Sequence, residues 1–175
     1  GVTPDTVELV EAHGTGTTVG DGIEVEALSQ VYRAARAEGS WCALGSVKSM
    51  IGHTKAAAGS ASLVKTVLAL HHKVYPPTIK VTEPLPVLAK GDSPFYLSLE
   101  KRPWLAPKGH PRRAACSALG FGGTNFHAVL EEHSSTKTVT DWDWDCEILA
   151  VSGRDSAEMS SRFEAYTKIK TWDEL

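Results

Sequence analysis

The stretch TVELVEAHGTGTTVGDGIEVEAL, residues 6–28, decides the fold of this 175-residue chain. Valine and leucine alternate with acidic residues over residues 6–12, which predicts a β-strand. A turn rich in glycine and threonine follows at residues 13–20. We interpret Asp21 as the N-cap of an α-helix and Glu24 as its capping-box partner, and apolar residues then recur at helical spacing as far as Ala35. A strand, a turn and a helix in direct succession are typical of α/β proteins.

The same alternation continues along the chain. Cys42–Gly45 is a short apolar strand, and residues 53–72 have helical spacing, with small residues first and larger aliphatic residues later. Small residues let another backbone approach closely, so we expect this helix to be buried on more than one side. Pro76 and Pro77 end it, and residues 78–94 are expected to be irregular. Three further strands are predicted, at residues 95–99, 114–119 and 126–130. This order predicts a layered α/β domain.

Composition and charge exclude several classes of protein. The formal net charge is −3 and no basic stripe stands out, so we expect no nucleic-acid partner. The most apolar stretch, residues 56–70, contains Lys65 and is too short to cross a bilayer. The N-terminus lacks the pattern of a signal peptide, so we expect a cytoplasmic protein without membrane contact. Cys42, Cys116 and Cys146 lack the spacing of a disulfide framework or a zinc site, and no metal is expected.

The composition divides the chain into two unequal parts. Residues 1–133 form the main domain, residues 134–147 read as a polar linker, and residues 148–175 begin a small second α/β unit. A strand at residues 148–152 and a helix at residues 156–168 are too little chain for a core of their own. A strand pattern starts almost at the first residue and a helical pattern stops at the last. We therefore expect both ends to have been cut from a longer polypeptide.

Three polar clusters follow predicted strands, where α/β folds place their sites. They lie at residues 13–17, 48–53 and 120–125. Each has an ordinary structural explanation when taken alone. Gly14 and Gly16 do not complete a dinucleotide-binding fingerprint, because the third glycine comes one residue late. Val47 stands where a phosphate-binding loop requires a glycine before Lys48. Cys116 lies inside an apolar strand pattern and lacks a helix N-terminus or loop that would favour a thiolate.

Taken together, the three clusters resemble the β-ketoacyl synthases of thiolase fold, especially those of type I polyketide and polyunsaturated fatty acid synthases. The motifs stand here as Glu-Ala-His-Gly-Thr-Gly-Thr at residues 11–17, Lys-Ser-Met-Ile-Gly-His-Thr-Lys-Ala-Ala-Ala-Gly at residues 48–59 and Gly-Phe-Gly-Gly-Thr-Asn-Phe-His at residues 120–127. The resemblance covers about residues 5–133. It implies the fold class α/β, as the C-terminal half of a thiolase-like, layered α/β/α fold. Residues 148–175 would then begin the linker between a ketosynthase and an acyltransferase domain.

The resemblance implies a decarboxylative Claisen condensation of a malonyl thioester with an acyl thioester in fatty acid or polyketide synthesis. His13 and His53 match two neutral imidazoles that donate N–H groups to the enolate oxygen, worth roughly 3–4 kcal/mol per donor. A helix N-terminus beside His53 would disfavour a cationic ring. Lys48 matches the family's active-site lysine, whose role would be electrostatic, with Asp21 or Glu24 as its partner.

The resemblance also implies which residues bind substrate. Thr15 and Thr17 match threonines that hydrogen-bond the phosphopantetheine arm. Phe121, with Gly122 beside it, matches the aromatic residue that gates the acyl pocket. No cofactor is expected to bind directly, because the substrates are carried on the phosphopantetheine of an acyl carrier protein. The expected partners are an acyl carrier protein, an acyltransferase domain, the missing N-terminal half of the ketosynthase and, in the intact protein, a second copy in a homodimer.

The sequence departs from the family in its cysteine nucleophile. In the family this cysteine lies far upstream of the first histidine motif, and only twelve residues precede His13 here. We therefore expect the isolated chain to be unable to condense acyl groups. Ser62 stands where stand-alone condensing enzymes often carry glutamate, which favours the type I subgroup. Phe126 replaces the more common alanine, as in polyunsaturated fatty acid synthases.

Two other hypotheses remain open from the sequence. A non-catalytic relative of the same fold, such as a chain-length-factor-like or scaffolding domain, would carry a substitute for the cysteine upstream. The second alternative is a biosynthetic thiolase or an unrelated binding module. Thiolases use a cysteine and a histidine together, so the pair of His13 and His53 disfavours it.

Overall fold

The computed structural model describes residues 1–105, 107, 109–133 and 151–168. The chain divides into two compact units, residues 1–142 and residues 143–175. The predicted linker at residues 134–147 lies outside the described residues, as does most of the strand predicted at residues 148–152, of which residues 151–152 have no regular structure. None of the helices in the described ranges is long and apolar enough to cross a membrane.

The first unit alternates strands and helices, as the sequence predicts. The strands are β1 Leu9–Glu11, β2 Cys42–Gly45, β3 Val74–Tyr75, β4 Phe95–Leu97, β5 Arg102–Pro103, β6 Arg113–Leu119 and β7 Asn125–Glu131. The helices are α1 Thr18–Ala35, α2 Lys48–Ile51, α3 Ala58–His72 and α4 Pro86–Ala89, with 3-10 turns at Pro4–Thr6 and Lys55–Ala57. The five strands predicted in this unit all form, although those predicted at residues 6–12 and 95–99 are shorter than expected. The predicted irregular segment contains the short helix α4.

Five strands form one mixed sheet in the order β4-β2-β1-β6-β7. The central strand β1 pairs in parallel with β2 and β6, β2 pairs in parallel with β4, and β7 returns antiparallel to β6. Because β1, β2 and β6 are parallel, their carboxyl ends meet at one edge of the sheet. At that edge Glu11 is in register with Gly45 on one side and Cys116 on the other. The strands β3 and β5 form a separate antiparallel pair.

Helices cover both faces of this sheet, which gives a layered α/β/α arrangement. On one face, Val25 and Tyr32 of α1 pack in a buried cluster with Val10. On the other face, Leu70 of α3 packs in a second cluster with Leu9. Successive residues of β1 thus point to opposite faces, as the two-residue period of a strand requires. A parallel strand that is apolar on both faces is typical of α/β proteins.

Helix α1 begins earlier than the sequence indicates. Its N-cap is Thr17, which makes no side-chain capping bond. Asp21 lies inside the first turn of the helix, and its carboxylate accepts hydrogen bonds from the main-chain amides of Thr15 and Gly16 at 3.0 and 3.1 Å. The interpretation of Asp21 as the N-cap is therefore wrong. Its carboxylate accepts hydrogen bonds from amides of the preceding loop and does not cap its own helix.

Helix α3 is buried on one side only. Ser62, Thr66 and Ala69 are buried, whereas four large aliphatic side chains are 42–58% exposed. These four are Leu63, Val64, Val67 and Leu68. The expectation that this helix is buried on more than one side is wrong for the described part of the first unit. The helix also begins later than predicted, because the 3-10 turn Lys55–Ala57 precedes it.

In the second unit, the described residues form α5, Ser156–Tyr166, close to the predicted helix. Asp155 is its N-cap and accepts a hydrogen bond from the main-chain amide of Glu158 at 2.8 Å. Glu158 also forms ion pairs with Arg154 and Arg162, each four residues away. Such exposed pairs contribute little to stability, so the cap is the clearest local signal in this helix.

Candidate active site

Two histidines meet at the carboxyl edge of the sheet. His13 follows the end of β1 by two residues, and His53 lies between α2 and α3. The centroids of their rings are 5.5 Å apart, and the ring planes are nearly perpendicular, at 85°. Residues that are distant in sequence are thus neighbours in space, because successive strand-to-helix connections open on one cleft.

Both rings line an open groove of about 1210 Å³. Thr15, Thr17 and Phe121 line the same groove, so five of the seven residues predicted to act on substrate lie together. Lys48 and Gly122 are the two that do not. Much of the remaining lining is apolar and comes from α3, β6 and β7, including Leu63, Ala118, Phe126 and Ala128. Such a groove suits a ligand with an apolar chain and one polar, reacting end.

The loop that carries His13 is fixed by two carboxylates of α1. Glu24 is 9% exposed and accepts hydrogen bonds from the main-chain N–H groups of His13 and Gly14 at 2.8 and 2.9 Å. Asp21 accepts those of the next two residues. Four consecutive amides are therefore bonded to two side chains that lie about one helical turn apart. Helix α1 determines the conformation of this loop.

Lys48 contacts the main chain of His13. It lines a second groove, of about 570 Å³, and its Nζ donates a hydrogen bond to the carbonyl oxygen of His13. The sequence suggested the side chain of Asp21 or Glu24 as the partner of Lys48. The acceptor of its hydrogen bond is instead a main-chain carbonyl. Burial lowers the pKa of the Lys48 ammonium, and the negative charges of Glu11, Glu24 and Asp21 oppose that shift.

His13 is favoured as a neutral imidazole. Partial burial lowers the pKa of its ring below the usual value, and the positive charge of Lys48 lowers it further, while Glu24 acts in the opposite direction. The Nδ1 atom is buried and has no hydrogen-bond partner within the described residues. A proton on Nδ1 would therefore be a buried donor without an acceptor, which is costly. The proton of the neutral ring belongs on Nε2.

A main-chain contact fixes the tautomer of His53. The N–H of Lys55 donates a hydrogen bond to Nδ1 of His53 at 2.9 Å. A backbone N–H can only donate, so Nδ1 must carry the lone pair and the proton of the neutral ring lies on Nε2. Lys55 is the first residue of the 3-10 turn Lys55–Ala57. The helix expected to begin at His53 begins at Ala58, and it is the first amide of the preceding 3-10 turn that contacts the His53 ring.

The turn between β6 and β7 carries the aromatic residue expected to gate the site. Phe121 lines the groove and is fully exposed to solvent. The turn is closed by hydrogen bonds from the amide of Gly120 to the carbonyl of Thr124 and from the amide of Gly123 to the carbonyl of Gly120, each 3.0 Å. Gly123 has a φ of +82°, which favours glycine. Gly122 lies next to Phe121 in this turn and does not line the groove.

Neither of the two cysteines that the structure describes is placed as a nucleophile. Cys42 is fully buried, and burial raises the pKa of its thiol well above the usual value. Cys116 lines the groove, but burial and the nearby Glu11 raise its pKa too. A reactive cysteine needs the opposite shift. Cys146 lies outside the described residues. Within the described ranges, no group of three or more His, Cys, Asp or Glu side chains could hold a metal ion.

One polar pair beside the groove was not anticipated from the sequence. Ser117 of β6 and His127 of β7 are in register, and the Ser117 hydroxyl lies 2.9 Å from the Nδ1 of His127. The signal was available, since two residues equally distant from a tight turn face each other in an antiparallel hairpin. The pair links the strands that form one wall of the groove.

This arrangement can stabilise negative charge on one ligand oxygen. His13 and His53 both favour a proton on Nε2, and their rings face a shared groove. Two imidazole N–H groups beside one developing oxyanion would form the kind of preorganised site that accelerates carbanion and acyl chemistry.

Comparison with known proteins identifies relatives that share these features. Residues 1–82 match the family described as "Beta-ketoacyl synthase, C-terminal domain". A polyunsaturated fatty acid synthase chain of Thraustochytrium sp. (strain ATCC 26185 / S-3) is 52% identical over 137 residues, which cover 75% of this chain and 5% of the relative. Polyketide synthase PksL of Bacillus subtilis (strain 168) is 46% identical over 137 residues, 78% of this chain and 3% of the relative.

Solved structures share the fold as well. The ketosynthase from module 6 of the bacillaene synthase of Bacillus subtilis 168 is 46% identical with a TM-score of 0.72, covering 77% of this chain and 25% of that chain. The oxazolomycin ketosynthase domain KS7 of OzmH from Streptomyces albus JA3453 is 32% identical with a TM-score of 0.70, covering 93% of this chain and 29% of that chain. The chain thus spans less than a third of the length of these ketosynthase structures.

Proposed function

Because the chain belongs to the β-ketoacyl synthase family through its C-terminal domain, we propose that it is the decarboxylating part of a condensing enzyme. Its fold is that of the C-terminal portion of the thiolase-like ketosynthases. The complete reaction would be the Claisen condensation of a malonyl thioester with an acyl thioester in fatty acid or polyketide synthesis. The enzyme would be an acyltransferase of the β-ketoacyl-carrier-protein synthase type.

The observation that carries this proposal is the pair of His13 and His53. Their rings are 5.5 Å apart between centroids and line one groove. One thioester carbonyl oxygen can lie within reach of both rings at this separation. Nδ1 of His53 accepts a hydrogen bond from the amide of Lys55, and Nδ1 of His13 is buried with no hydrogen-bond partner within the described residues. In the neutral form of each ring, the proton that can be donated is therefore on Nε2. Two such donors would each stabilise the transition state by roughly 3–4 kcal/mol.

In the proposed step, the bond between the malonyl α-carbon and its carboxylate breaks and CO₂ leaves. The electron pair of that bond moves into the enolate, whose negative charge rests on the thioester oxygen between the two imidazoles. The enolate carbon then attacks the carbonyl carbon of an acyl group held on a cysteine thiol, and the thiolate leaves as the new carbon–carbon bond forms. The histidines donate hydrogen bonds throughout and remain neutral.

Lys48 supports this step from outside the groove. It is bonded to the carbonyl of His13, and its positive charge disfavours protonation of the ring. A neutral ring is required, because an imidazolium would tend to protonate the enolate rather than stabilise it. We assign Lys48 an electrostatic and organising role in place of direct contact with substrate.

The other groove residues are proposed to bind the thioester arm and the acyl chain. Thr15 and Thr17 present their hydroxyls 3.3 Å apart beside the histidines. They are placed to hydrogen-bond the amides of a phosphopantetheine arm, which an acyl carrier protein would deliver. Phe121 and Gly122 lie on the exposed turn between β6 and β7. A rotation of Phe121 there would open or close the acyl end of the groove.

The remaining partners are proposed from what the described chain leaves open. The aliphatic side chains of α3 that stay exposed would be covered by the N-terminal half of the ketosynthase, which would also bring the cysteine nucleophile. A second copy in a homodimer of the intact protein and an acyltransferase domain are the other proposed partners. Both described cysteines have a raised thiol pKa, which supports a nucleophile from outside this chain.

The test uses the full-length protein that contains this sequence. Release of radioactive CO₂ from a carboxyl-labelled malonyl thioester is measured for the wild type, His13→Ala and His53→Ala. Each substitution removes one donor, so we expect the rate to fall about 10²- to 10³-fold. Acyl uptake on the nucleophile is measured in parallel and should persist. His71→Ala, which removes an exposed histidine at the end of α3, is the matched control and should keep the wild-type rate.

Two results would contradict the proposal. Decarboxylation that survives either histidine substitution would show that the pair does not stabilise the enolate. A well-folded wild type that releases no CO₂ would instead favour a non-catalytic relative of the same fold.

A further inference from the structure

The side chain of Glu11 connects three segments of the site. It is 1% exposed, and its Oε2 forms an ion pair with the Nζ of Lys65 at 2.7 Å. Its other oxygen, Oε1, accepts a hydrogen bond from the main-chain amide of Val47. The side chain of Lys65 is itself 10% exposed. One buried carboxylate therefore bonds to the connection after β2 and to helix α3, and its own backbone ends β1.

Each of these segments carries one of the residues assigned above to the reaction. His13 comes two residues after Glu11, Lys48 follows Val47 directly, and His53 precedes the helix that holds Lys65. We infer that Glu11 and Lys65 are positioning residues, whose buried ion pair sets the relative placement of His13, Lys48 and His53. This inference rests on the proposed function, because it assigns a role within that reaction.

The backbone of Gly45 lies beside this ion pair. Gly45 ends β2 in register with Glu11. A Cβ atom at position 45 would lie 3.5 Å from the Nζ of Lys65 and 2.5 Å from the hydroxyl of Thr78. A larger residue would therefore collide with Thr78, whereas its contact with the Nζ of Lys65 would be an ordinary van der Waals contact. Gly45 thus lies within contact distance of the ion pair, at a position where Thr78 leaves no room for a side chain.

Stability alone does not explain a charged pair at this place. Removing two charges from water is costly, and a buried ion pair is often no more stabilising than apolar side chains of the same volume. An ion pair differs from apolar packing in direction and length, because its partners must meet at hydrogen-bond distance. The Glu11–Lys65 pair lies at the sheet edge where the two histidines meet. A need to place the site residues precisely explains an ion pair at this edge better than a gain in stability does.

The test again uses the full-length protein. Glu11→Asp keeps the charge but shortens the side chain by one methylene, so it cannot reach both Val47 and Lys65. The double variant Glu11→Gln/Lys65→Met removes both charges, which avoids a lone buried charge. We measure kcat and KM for malonyl decarboxylation, the melting temperature, and hydrogen exchange of the peptide covering residues 46–53.

The expected result separates placement from stability. A small displacement of reacting groups costs up to about a hundredfold, so both variants should lose tenfold to a hundredfold in kcat with little change in KM. Hydrogen exchange at residues 46–53 should become faster. Glu132→Gln is the control, since it breaks the half-buried pair with Arg112 at the other end of the sheet. It should lower the melting temperature and leave the kcat of the folded protein unchanged.

The inference is overturned if both Glu11 variants keep kcat within twofold of an active wild type, or if exchange at residues 46–53 does not change. Loss of activity that follows melting temperature alone, equally in the Glu132 control, would also overturn it. An inactive wild type would refute the proposed function instead. The exchange measurement would then still decide whether Glu11 holds the segment that carries Lys48.

Discussion

The carboxylate of Glu24 accepts a hydrogen bond from the main-chain amide of His13 at 2.8 Å. The ammonium group of Lys48 donates a hydrogen bond to the main-chain carbonyl oxygen of the same histidine. The backbone N–H of His13 is thus bonded to a negative side chain and its backbone C=O to a positive one. They also act in opposite directions on the pKa of its ring. This gives two substitutions with opposite expected effects on pH dependence.

Glu24→Gln removes the negative charge that raises the pKa of His13. The pKa, already lowered by burial and by Lys48, should fall further. Decarboxylation requires the neutral ring, so the rate is lost as pH falls through this pKa. We therefore expect the acidic limb of the pH–rate profile to move to lower pH, with a lower plateau because one loop amide loses its acceptor.

Glu26→Gln is the matched control for this substitution, since Glu26 lies on the same helix with its side chain exposed. It should leave both the limb and the plateau in place. A limb that moves to higher pH in Glu24→Gln would show that the carboxylate does not act on His13 as described.

Lys48→Met should have the opposite effect on the profile. Removing the positive charge raises the pKa of His13 toward its usual value, so protonation would begin at higher pH. The acidic limb should move upward, and the plateau should fall because the carbonyl of His13 loses its donor. The measurement is the pH dependence of malonyl decarboxylation. Lys90→Met, an exposed lysine beyond α4, is the control, and an unmoved limb in Lys48→Met would contradict the assignment.

Gly14→Ala should damage the loop far more than Gly16→Ala. Both glycines have a positive φ, +43° and +80°, so either substitution adds backbone strain of about 1 kcal/mol. Only at Gly14 would the new Cβ also collide with a neighbour, since it would lie 2.9 Å from the Cβ of Ser46. At Gly16 no heavy atom of the described residues, apart from the adjoining ones, would lie within 4 Å of such a Cβ. We expect a much larger loss of decarboxylation for Gly14→Ala, and equal losses would show that crowding against Ser46 is unimportant.

The second ion pair of the sheet gives a prediction about stability. Arg112 is 6% exposed and bonds both Glu132, at 2.8 Å, and the carbonyl of Trp104, at 2.7 Å. Glu132→Gln removes the carboxylate that is hydrogen-bonded to this buried guanidinium and leaves Glu8, which interacts with it by charge alone, so we expect a cost of about 3 kcal/mol. Glu131→Gln breaks a more exposed pair with Arg113 and should cost less than about 1 kcal/mol. The midpoints of unfolding of the two variants test this order.

Much of the architecture could be predicted from local pattern. The apolar run Cys42–Gly45 forms the strand expected of it, because a buried parallel strand is apolar on both faces. Helix α3 was visible from its spacing, but how much of it would be buried was not. Sequence spacing shows which residues share a helix face and does not show whether another part of the protein covers that face.

The candidate site was predictable where a motif placed a residue at the end of a strand. His13 and His53 follow successive strands, and parallel strands bring such residues to one edge. The roles of Asp21 and Glu24 were not predictable, because acids near a helix start are usually read as caps. Their bonds run backward to loop amides, which depends on the path of the loop in three dimensions.

The central claim is that His13 and His53 donate from Nε2 to one enolate oxygen. The most direct measurement is a crystal structure of the full-length ketosynthase with a malonyl-thioester analogue whose carboxylate cannot leave. We expect the thioester carbonyl oxygen to lie about 2.7–3.1 Å from the Nε2 atoms of both rings. A thioester oxygen that contacts only one ring, or that faces main-chain amides while both imidazoles remain unoccupied, would contradict the claim.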